Sequence, residues 1–243
     1  MNNGKPPSAY PTLGSKLSRR VHDIPWRLAE LRDLVFPGEF AQLYRLVHPY
    51  TMDSRARLRG LHNAVRYVVQ KEIPGDVVEC GVAFGGSAAL LGLTLKSCRA
   101  QRKLWAFDTF EGMPAPTGAD PDYDSAIQFT GAYPSKISEV IRLFEKLGIR
   151  ENTEFVKGMF QDTVPESGLR KIAVLHLDGD WYESVKVCLD HLYDRVSSGG
   201  VIQIDDYGHW AGARKAVDEF LDGRVIPGGL RYLDYSGRQF IKP

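Results

Sequence analysis

The order of apolar and polar residues predicts helices in the first third of the chain. Residues 54–71 carry apolar side chains at helical spacing and Pro74-Gly75 follows them, so we predict one helix that ends there. Residues 25–47 have a similar pattern that is interrupted at Pro37-Gly38, which predicts two short helices. Together these helices would form an N-terminal helical cap over residues 21–72.

From residue 73 onward, strand-like and helical patterns alternate. Apolar runs predict strands at residues 76–81, 103–108, 153–158, 172–178 and 200–206, and amphipathic runs predict helices at residues 86–97, 136–147, 182–194 and 211–222. Such alternation is typical of an α/β fold, in which helices cover both faces of a doubly wound, mostly parallel sheet. Near the C-terminus two short runs flank Ser236-Gly237 without a helix between them, which predicts a hairpin and an antiparallel last strand.

Two segments lack this regular pattern. Residues 112–135 are rich in Pro, Gly and Asp, which argues against regular structure and is typical of a lid or a disordered segment. Residues 1–20 are rich in Gly, Pro, Ser and Lys, and we expect a disordered tail or a contact between subunits there. The predicted organisation is therefore a tail, the helical cap and one large domain over residues 73–243.

Composition narrows the class of protein. The chain has 243 residues, of which 43% are hydrophobic and 25% charged, as in ordinary globular proteins, and its net charge is +1. It has no basic block that would bind a nucleic-acid backbone, so no nucleic-acid partner is expected. Three scattered cysteines without a CxxC pair fit a reducing compartment. We see neither an apolar signal sequence nor a membrane-spanning run, and we expect a cytoplasmic protein.

A glycine-rich turn follows the first predicted strand. The stretch ECGVAFGGS places Glu79 near the end of that strand, and Gly81, Gly85, Gly86 and Ser87 lead into a helix. Glycines let the backbone approach a ligand closely, and the N-terminus of a helix is electropositive. The spacing resembles the E-x-G-x-x-x-G signature of S-adenosylmethionine-dependent methyltransferases more than it resembles G-x-G-x-x-G. A turn with purely structural duties is the alternative interpretation.

An acidic residue ends the second predicted strand. Asp108 stands where an acid commonly accepts hydrogen bonds from the ribose hydroxyls of a bound nucleotide. The alternative is an Asp that caps a helix or stabilises a turn. A glycine-rich turn followed by this acid also fits NAD, so an NAD-dependent oxidoreductase stays open at this point.

Two later strands end in acids. The stretch VLHLDGDW puts Asp178 and Asp180 after one strand, and VIQIDD puts Asp205 and Asp206 after the next. Sequential strands are commonly neighbours, so we expect Asp178, Asp205 and Asp206 to meet at one edge of the sheet. Three carboxylates make an oxygen-rich site for Mg²⁺ or another divalent ion, which would neutralise their charge. The alternative is a solvated edge with Asp206 as a helix cap.

Asp180 is the first candidate for a general base, because it lies beside the predicted metal ligands without having to bind the ion. Its alternative role is to cap the helix that follows. His209 is the second candidate base. Trp181 and Trp210 flank the acidic edge and are candidates for an apolar wall against a substrate. The Asp-x-Asp motif at residues 178–180 also keeps a metal-dependent glycosyltransferase open.

Taken in order, these motifs resemble those of the macrocin O-methyltransferase family. The resemblance covers roughly residues 50–243 and is carried by GDVVECGVAFGGSA, FDTFEGMP, GMFQDTVP, LHLDGDWYES and GGVIQIDDYGHWAGARKAVDEF. Members of this family use S-adenosylmethionine and Mg²⁺ to methylate hydroxyls, often on sugars of antibiotics. The resemblance implies a class I methyltransferase fold, with a seven-stranded Rossmann-like sheet, an antiparallel last strand and an N-terminal helical cap.

The resemblance also assigns roles to residues. It implies that Asp178, Asp205 and Asp206 bind the metal and that Asp180 accepts a proton. The implied cofactor-binding residues are Thr51, Met52, Glu79, Gly81, Val82, Ala83, Ser87, Asp108, Thr109, Gly158, Met159, Gln161 and Asp162.

Parts of this cofactor-binding set have separate expected roles. Thr51-Met52 matches an element that helps to close over the cofactor, Glu79 would lie at its methionine end, and residues 158–162 would lie near its adenine. Ala83-Phe84 departs from the Trp-Arg pair that is common in the family.

The predicted protein is therefore an S-adenosylmethionine- and Mg²⁺-dependent O-methyltransferase. The expected acceptor is a small molecule, with a deoxysugar on a natural product as the first hypothesis and a phenolic or diol acceptor as the alternative. The N-terminal helices offer a surface for further copies of the chain, so we also expect a homo-oligomer.

Overall fold

The computed structural model describes residues 38–243, so the predicted tail and the first of the two predicted short helices lie outside the described residues. The α-helices of the described part are α1 (Glu39–Val47), α2 (Arg55–Gln70), α3 (Gly86–Ser97), α4 (Tyr123–Ala126), α5 (Ile137–Leu147), α6 (Phe160–Thr163), α7 (Tyr182–Leu192) and α8 (Ala211–Leu221). Its strands are β1 (Asp76–Cys80), β2 (Leu104–Asp108), β3 (Thr153–Lys157), β4 (Ile172–Leu177), β5 (Val196–Ile204), β6 (Arg231–Tyr232) and β7 (Arg238–Ile241). Short 3-10 helices occur at His48–Tyr50, Ile127–Phe129 and Tyr193–Arg195.

The strands form one seven-stranded sheet in the order β3-β2-β1-β4-β5-β7-β6. The pairs among β1 to β5 are parallel, and β7 pairs antiparallel with both β5 and β6. The predicted fold class, with a doubly wound sheet and an antiparallel last strand, is confirmed. Chain order reverses between β1 and β4, and ligands of such sheets bind at the carboxyl ends of the strands beside that reversal.

Two layers of apolar side chains hold the sheet between helices. On the central strands Val77 and Val174 belong to the layer under α2 and α3, whereas Val78 and Leu175 belong to the layer under α7 and α8. Strand β4 is buried along its whole length, which explains why its sequence is almost continuously apolar. Among the helices of residues 38–243, none combines the length and apolar character that a membrane span needs.

The predicted start of the fifth strand was wrong. Strand β5 begins at Val196 rather than at residue 200, although Ser197 to Gly200 has the composition of a turn. The pairing between β4 and β5 is irregular there, because Ile172 pairs with Val196 and Val174 with Val201. A bulge of this kind absorbs the extra residues and lets the strand start early.

His62 on α2 is an almost fully buried histidine. Its Nδ1 lies 3.2 Å from Thr94 Oγ1, and its Nε2 lies 3.7 Å from Glu39 Oε2. Burial lowers the pKa of His62 to about 4 against the opposing effect of Glu39, and Arg66 and Arg59 lower the pKa further. A histidine in the unfolded chain has a pKa of about 6.5. The folded protein therefore keeps His62 neutral in a pH range where the unfolded chain binds a proton.

This difference predicts a pH dependence of stability. Because only the unfolded chain is protonated at His62 between its two pKa values, the free energy of unfolding falls as the pH drops through that range. We expect the wild type to lose about 2 kcal/mol more than His62→Asn between pH 7 and pH 5. Urea unfolding of both proteins at the two pH values measures the difference, since other titrating groups are shared. Equal pH dependence of the two proteins would contradict the prediction.

Candidate active site

A cleft of about 340 Å³ opens at the carboxyl ends of β1, β2, β4 and β5. The predicted site residues that line it are Thr51, Met52, Gly81, Val82, Ala83, Ser87, Asp108, Thr109, Met159, Asp178, Asp180, Asp205 and His209. The predicted residues outside its lining are Glu79, Gly158, Gln161, Asp162 and Asp206. Most of the predicted residues, which are scattered over the sequence, therefore meet in one cleft.

Gly81 lets the ends of β1 and β4 approach each other. Its φ is +102°, and a Cβ atom at this position would stand 1.9 Å from the backbone oxygen of Asp178. The Asp178 N–H donates to the Cys80 oxygen at 2.8 Å, so the first acid after β4 lies directly beside the turn after β1. Gly85 then precedes α3 with a φ of +89° and no side-chain cap. The first N–H groups of α3 are thus available to an anionic or polar ligand.

Asp108 organises the same turn. Its Oδ2 accepts hydrogen bonds from the Val82 and Ala83 N–H groups at 2.7 and 2.9 Å, and its Oδ1 accepts one from the Phe110 N–H at 2.6 Å. These contacts show that Asp108 stabilises the turn, which is one of the roles that the sequence left open. The Asp108 side chain also lines the cleft, where the Thr109 hydroxyl donates to Oδ1 at 3.4 Å.

Glu79 lies beneath the cleft rather than in its wall. The side chain is fully buried, and its Oε1 stands 2.8 Å from His176 Nδ1 on β4. Burial raises the pKa of Glu79, although His176 opposes this shift. Glu79 shares a strand face with Val77, which belongs to the layer under α2 and α3. The Glu79 carboxyl also interacts with Ser87, which lines the cleft, and its expected role at the methionine end of the cofactor stays a prediction.

Three acids meet at the edge of the sheet as the sequence predicts. Oxygen atoms of Asp178, Asp205 and Asp206 lie within 4.8 Å of one another. Burial, followed by Asp206, raises the pKa of Asp178 well above its ordinary value. Asp205 Oδ1 is buried and has no hydrogen-bond partner within residues 38–243. Clustered carboxylates with an unpaired buried oxygen fit a hard divalent cation such as Mg²⁺.

Asp180 is held in a strained turn beside these acids. Its φ is +57°, and the Trp181 N–H donates to the Gly179 oxygen across it at 2.6 Å, as in a γ-turn. Asp180 Oδ1 accepts a hydrogen bond from Trp210 Nε1 at 3.1 Å, and its N–H donates to Asp206 Oδ2 at 3.3 Å. The alternative role as a helix cap is wrong, because α7 has Trp181 at its N-cap and no side-chain cap there. Strained backbone of this kind is common at functional sites.

Burial, followed by Asp206, also raises the pKa of Asp180 well above its ordinary value. His209, the second candidate base, is exposed and lies 3.2 Å through Nδ1 from the Tyr235 hydroxyl. Its ring packs edge-on against Trp210 with 4.7 Å between the ring centroids. Trp210 therefore contacts both candidate bases. Of the two predicted wall tryptophans, Trp210 lines the cleft, whereas Trp181 is buried behind it.

The segment 112–135 forms the outer wall of the cleft. The expectation that it lacks regular structure was wrong, since it contains α4 and a 3-10 turn. Asp120 Oδ1 accepts the Tyr182 N–H at 2.7 Å, and Asp122 Oδ2 accepts the Ala211 N–H at 2.9 Å. Two carboxylates of this segment thus accept hydrogen bonds from N–H groups in the first turns of α7 and α8, which have no acceptor within their own helix. The segment contributes to the cleft Met113, Pro114, Phe129, Ala132 and Tyr133.

Sequence reasoning missed Arg57, which lies within the acidic edge. The guanidinium contacts Asp205 at a very short distance and approaches Asp53 and Asp234 at 3.5 and 3.2 Å. No local signal distinguishes Arg57 from its neighbours Arg55 and Arg59, because all three belong to the same basic stretch of α2.

The fold and the cleft define a class I methyltransferase. The described structure resembles that of the O-methyltransferase NovP, with a TM-score of 0.75 and 31% sequence identity over 79% of this chain and 82% of that chain. The chain belongs to the macrocin-O-methyltransferase family, since the model of that family, Macrocin-O-methyltransferase (TylF), matches residues 45–242. It is therefore an O-methyltransferase, which confirms the family resemblance.

Two curated relatives of the chain are also O-methyltransferases. The chain is 34% identical to mycinamicin III 3''-O-methyltransferase from Micromonospora griseorubida over 77% of this chain and 76% of the relative. It is 33% identical to 8-demethyl-8-(2,3-dimethoxy-alpha-L-rhamnosyl)-tetracenomycin-C 4'-O-methyltransferase from Streptomyces olivaceus over 91% and 88%, respectively. Membership of this family removes the NAD-dependent oxidoreductase and the glycosyltransferase from consideration.

Proposed function

We propose that this chain is an S-adenosylmethionine- and Mg²⁺-dependent methyltransferase that methylates a sugar hydroxyl on a natural product. One observation carries the proposal: the acids Asp178, Asp205 and Asp206 and the adjacent Asp180 lie beside a glycine-rich turn at the edge of a single cleft. The name of the Streptomyces olivaceus relative, which includes a rhamnosyl group, supports a glycosylated acceptor.

The cofactor would lie against the turn after β1. Backbone at Gly81 to Ala83 and the start of α3 would bind its methionine end, and Asp108 with Thr109 would contact its ribose. Met159 lines the cleft where we propose the adenine, whereas Gln161 and Asp162 are exposed outside it. Bound S-adenosylmethionine would supply the methyl group, and bound Mg²⁺ would orient the acceptor and lower the pKa of its hydroxyl.

The three clustered acids and Asp180 would have separate roles, one in binding the cation and the other in accepting a proton. Asp178, Asp205 and Asp206 would hold the cation, which their clustered charge and the unpaired Asp205 Oδ1 support. Trp210 holds one oxygen of Asp180 and leaves the other oxygen to take the proton of the acceptor hydroxyl. His209 is the second candidate for this role because it lines the same cleft.

The residues of the outer wall favour an acceptor molecule that has apolar faces. Trp210 and Phe129 meet edge to face with 5.3 Å between the ring centroids, and Met113 and Tyr133 also line the cleft. Aromatic rings of this kind pack against the C–H face of a deoxysugar while its hydroxyls face the acids. The same wall favours a flat phenolic diol as the second candidate acceptor.

A methyl-transfer assay with three acceptor classes tests the proposal. Chelator-treated protein is incubated with S-adenosylmethionine, with and without added Mg²⁺, and with a glycosylated macrolide, a nucleotide-linked deoxysugar or a catechol. We expect mass spectrometry to detect methylation of a sugar-bearing acceptor only when Mg²⁺ is present. Methylation that is unchanged by chelation would remove the metal from the proposal, and methylation of catechol alone would replace the sugar acceptor.

A further inference from the structure

Arg57 connects three parts of the structure at the acidic edge. It lies in the first turn of α2, where its N–H donates to the N-cap Ser54 Oγ at 3.1 Å. Only 12% of its side chain is exposed. Its guanidinium contacts Asp205 after β5, Asp53 before α2 and Asp234 on the β6–β7 hairpin. These three carboxylates hold the orientation of the guanidinium and also balance its charge.

The contact with Asp205 leaves one oxygen of that carboxylate free. Arg57 Nη1 binds Asp205 Oδ2. Asp205 Oδ1 is buried, and its distance to His176 Nε2 is 3.6 Å, which is too long for a hydrogen bond. Arg57 thus fixes the rotation of the Asp205 carboxylate and reserves Oδ1 for another partner. A divalent cation shared with Asp178 and Asp206 would be that partner.

Arg57 also contacts the segment that borders the cofactor turn. Its Nη2 lies 3.5 Å from the Met52 oxygen, and the Asp53 N–H donates to Thr51 Oγ1 at 3.0 Å. On its other side this segment packs tightly on α3, because a Cβ atom at Gly86 would stand 2.6 Å from the Tyr50 oxygen. Residues 50–53 therefore lie between the start of α3 and the Arg57 guanidinium.

Asp234 holds the Arg57 guanidinium on the side of the β6–β7 hairpin. Its Oδ1 accepts the Ser236 and Gly237 N–H groups at 2.9 and 2.7 Å, and its Oδ2 accepts the Ser54 hydroxyl at 2.6 Å. A Cβ atom at Gly237 would stand 2.8 Å from Arg57 Cγ, so the hairpin also limits the path of the side chain. The position of Arg57 is consequently set by the hairpin and by residues 50–53 together.

We propose that Arg57 is a positioning residue that couples occupation of the cofactor site to binding of the divalent cation by Asp205. A cofactor seated against residues 50–53 would hold Arg57 in place, and Arg57 would hold Asp205 Oδ1 toward the cation. This inference rests on the proposed cofactor and metal sites. It identifies a residue that orients a metal ligand. Through this residue, binding at the cofactor site would change the affinity of the metal site.

Calorimetric titration of Mg²⁺ into chelator-treated protein, with and without saturating S-adenosylhomocysteine, tests the coupling. For the wild type we expect Mg²⁺ to bind about fivefold or more tightly when S-adenosylhomocysteine is present. For Arg57→Lys, which keeps the charge but loses the planar fork, we expect Mg²⁺ affinity to fall about tenfold or more. The effect of S-adenosylhomocysteine on Mg²⁺ affinity should disappear in this variant, while S-adenosylhomocysteine affinity without Mg²⁺ stays within about twofold.

Two further variants make the result specific. Arg142→Lys is the matched control, because Arg142 is exposed and, within residues 38–243, donates only to the Ser138 oxygen on its own helix. Asp234→Asn keeps an acceptor for the Ser236 and Gly237 N–H groups but removes the charge beside Arg57 Nε, so we expect a smaller loss of coupling in the same direction. If Arg57→Lys does not fold, as judged by thermal unfolding, Asp234→Asn provides the decisive comparison.

The outcomes separate this inference from the proposed function. A wild type that binds neither S-adenosylhomocysteine nor Mg²⁺ would overturn both. A wild type that binds both ligands, together with Arg57→Lys and Asp234→Asn variants that keep its Mg²⁺ affinity and its coupling, would overturn the role of Arg57 alone. Loss of coupling in these variants but not in Arg142→Lys would support it.

Discussion

Asp180→Asn is expected to lower kcat for methyl transfer by about 10²- to 10⁴-fold, the range typical for loss of a general base. Asparagine is nearly isosteric, tolerates the left-handed backbone that Asp180 adopts, and can still accept the Trp210 indole N–H. The variant therefore removes the capacity to take a proton without disturbing the turn. We expect S-adenosylhomocysteine and Mg²⁺ affinities to stay within about threefold of wild type.

The matched comparison is His209→Gln, which removes the second candidate base from the same cleft. Single-turnover methyl transfer at saturating acceptor measures the chemical step in both variants. A large loss in Asp180→Asn with a small loss in His209→Gln would support Asp180. The reverse pattern would transfer the role to His209, and full activity in both variants would show that neither side chain accepts the proton in the rate-limiting step.

The location of the acidic edge was predictable because it depends on local pattern and topology. Apolar runs mark where β4 and β5 end, and parallel neighbours end at the same edge of the sheet. Asp178, Asp205 and Asp206 follow those ends directly, so knowing the strands was enough to bring the three residues together. The fold class was predictable for the same reason, since alternation of strands and helices determines most of the sheet.

The contacts of single side chains were less predictable, because they depend on packing between distant elements. Asp205 meets Arg57 across 148 positions of sequence, and Asp120 meets the Tyr182 N–H across 62. No periodicity in the sequence encodes such pairs. Glu79 is different, since the alternation of strand β1 already places it on the face of Val77, toward the helices. That alternation already predicts a buried position for Glu79 beneath the cleft.

Gly81→Ala is expected to abolish binding of S-adenosylhomocysteine and to destabilise the fold by about 3–5 kcal/mol. Two effects combine here. An alanine at a φ of +102° is strained, and its Cβ atom would stand 1.9 Å from the Asp178 backbone oxygen, which cannot move without shifting the end of β4. Any such shift displaces both the turn that faces the cofactor and the first of the clustered acids.

Gly118→Ala is the matched control, because a Cβ atom there would meet nothing within 4 Å. Gly118 lies in the segment 112–135, apart from the turn after β1. Urea unfolding measures the stability of both variants, and calorimetry measures their affinity for S-adenosylhomocysteine. Separating the two readouts matters, because strain alone would lower stability while leaving affinity in the folded fraction intact. If Gly81→Ala binds S-adenosylhomocysteine as wild type does, the close approach of β1 and β4 is a requirement of folding alone, and the cofactor does not lie against this turn.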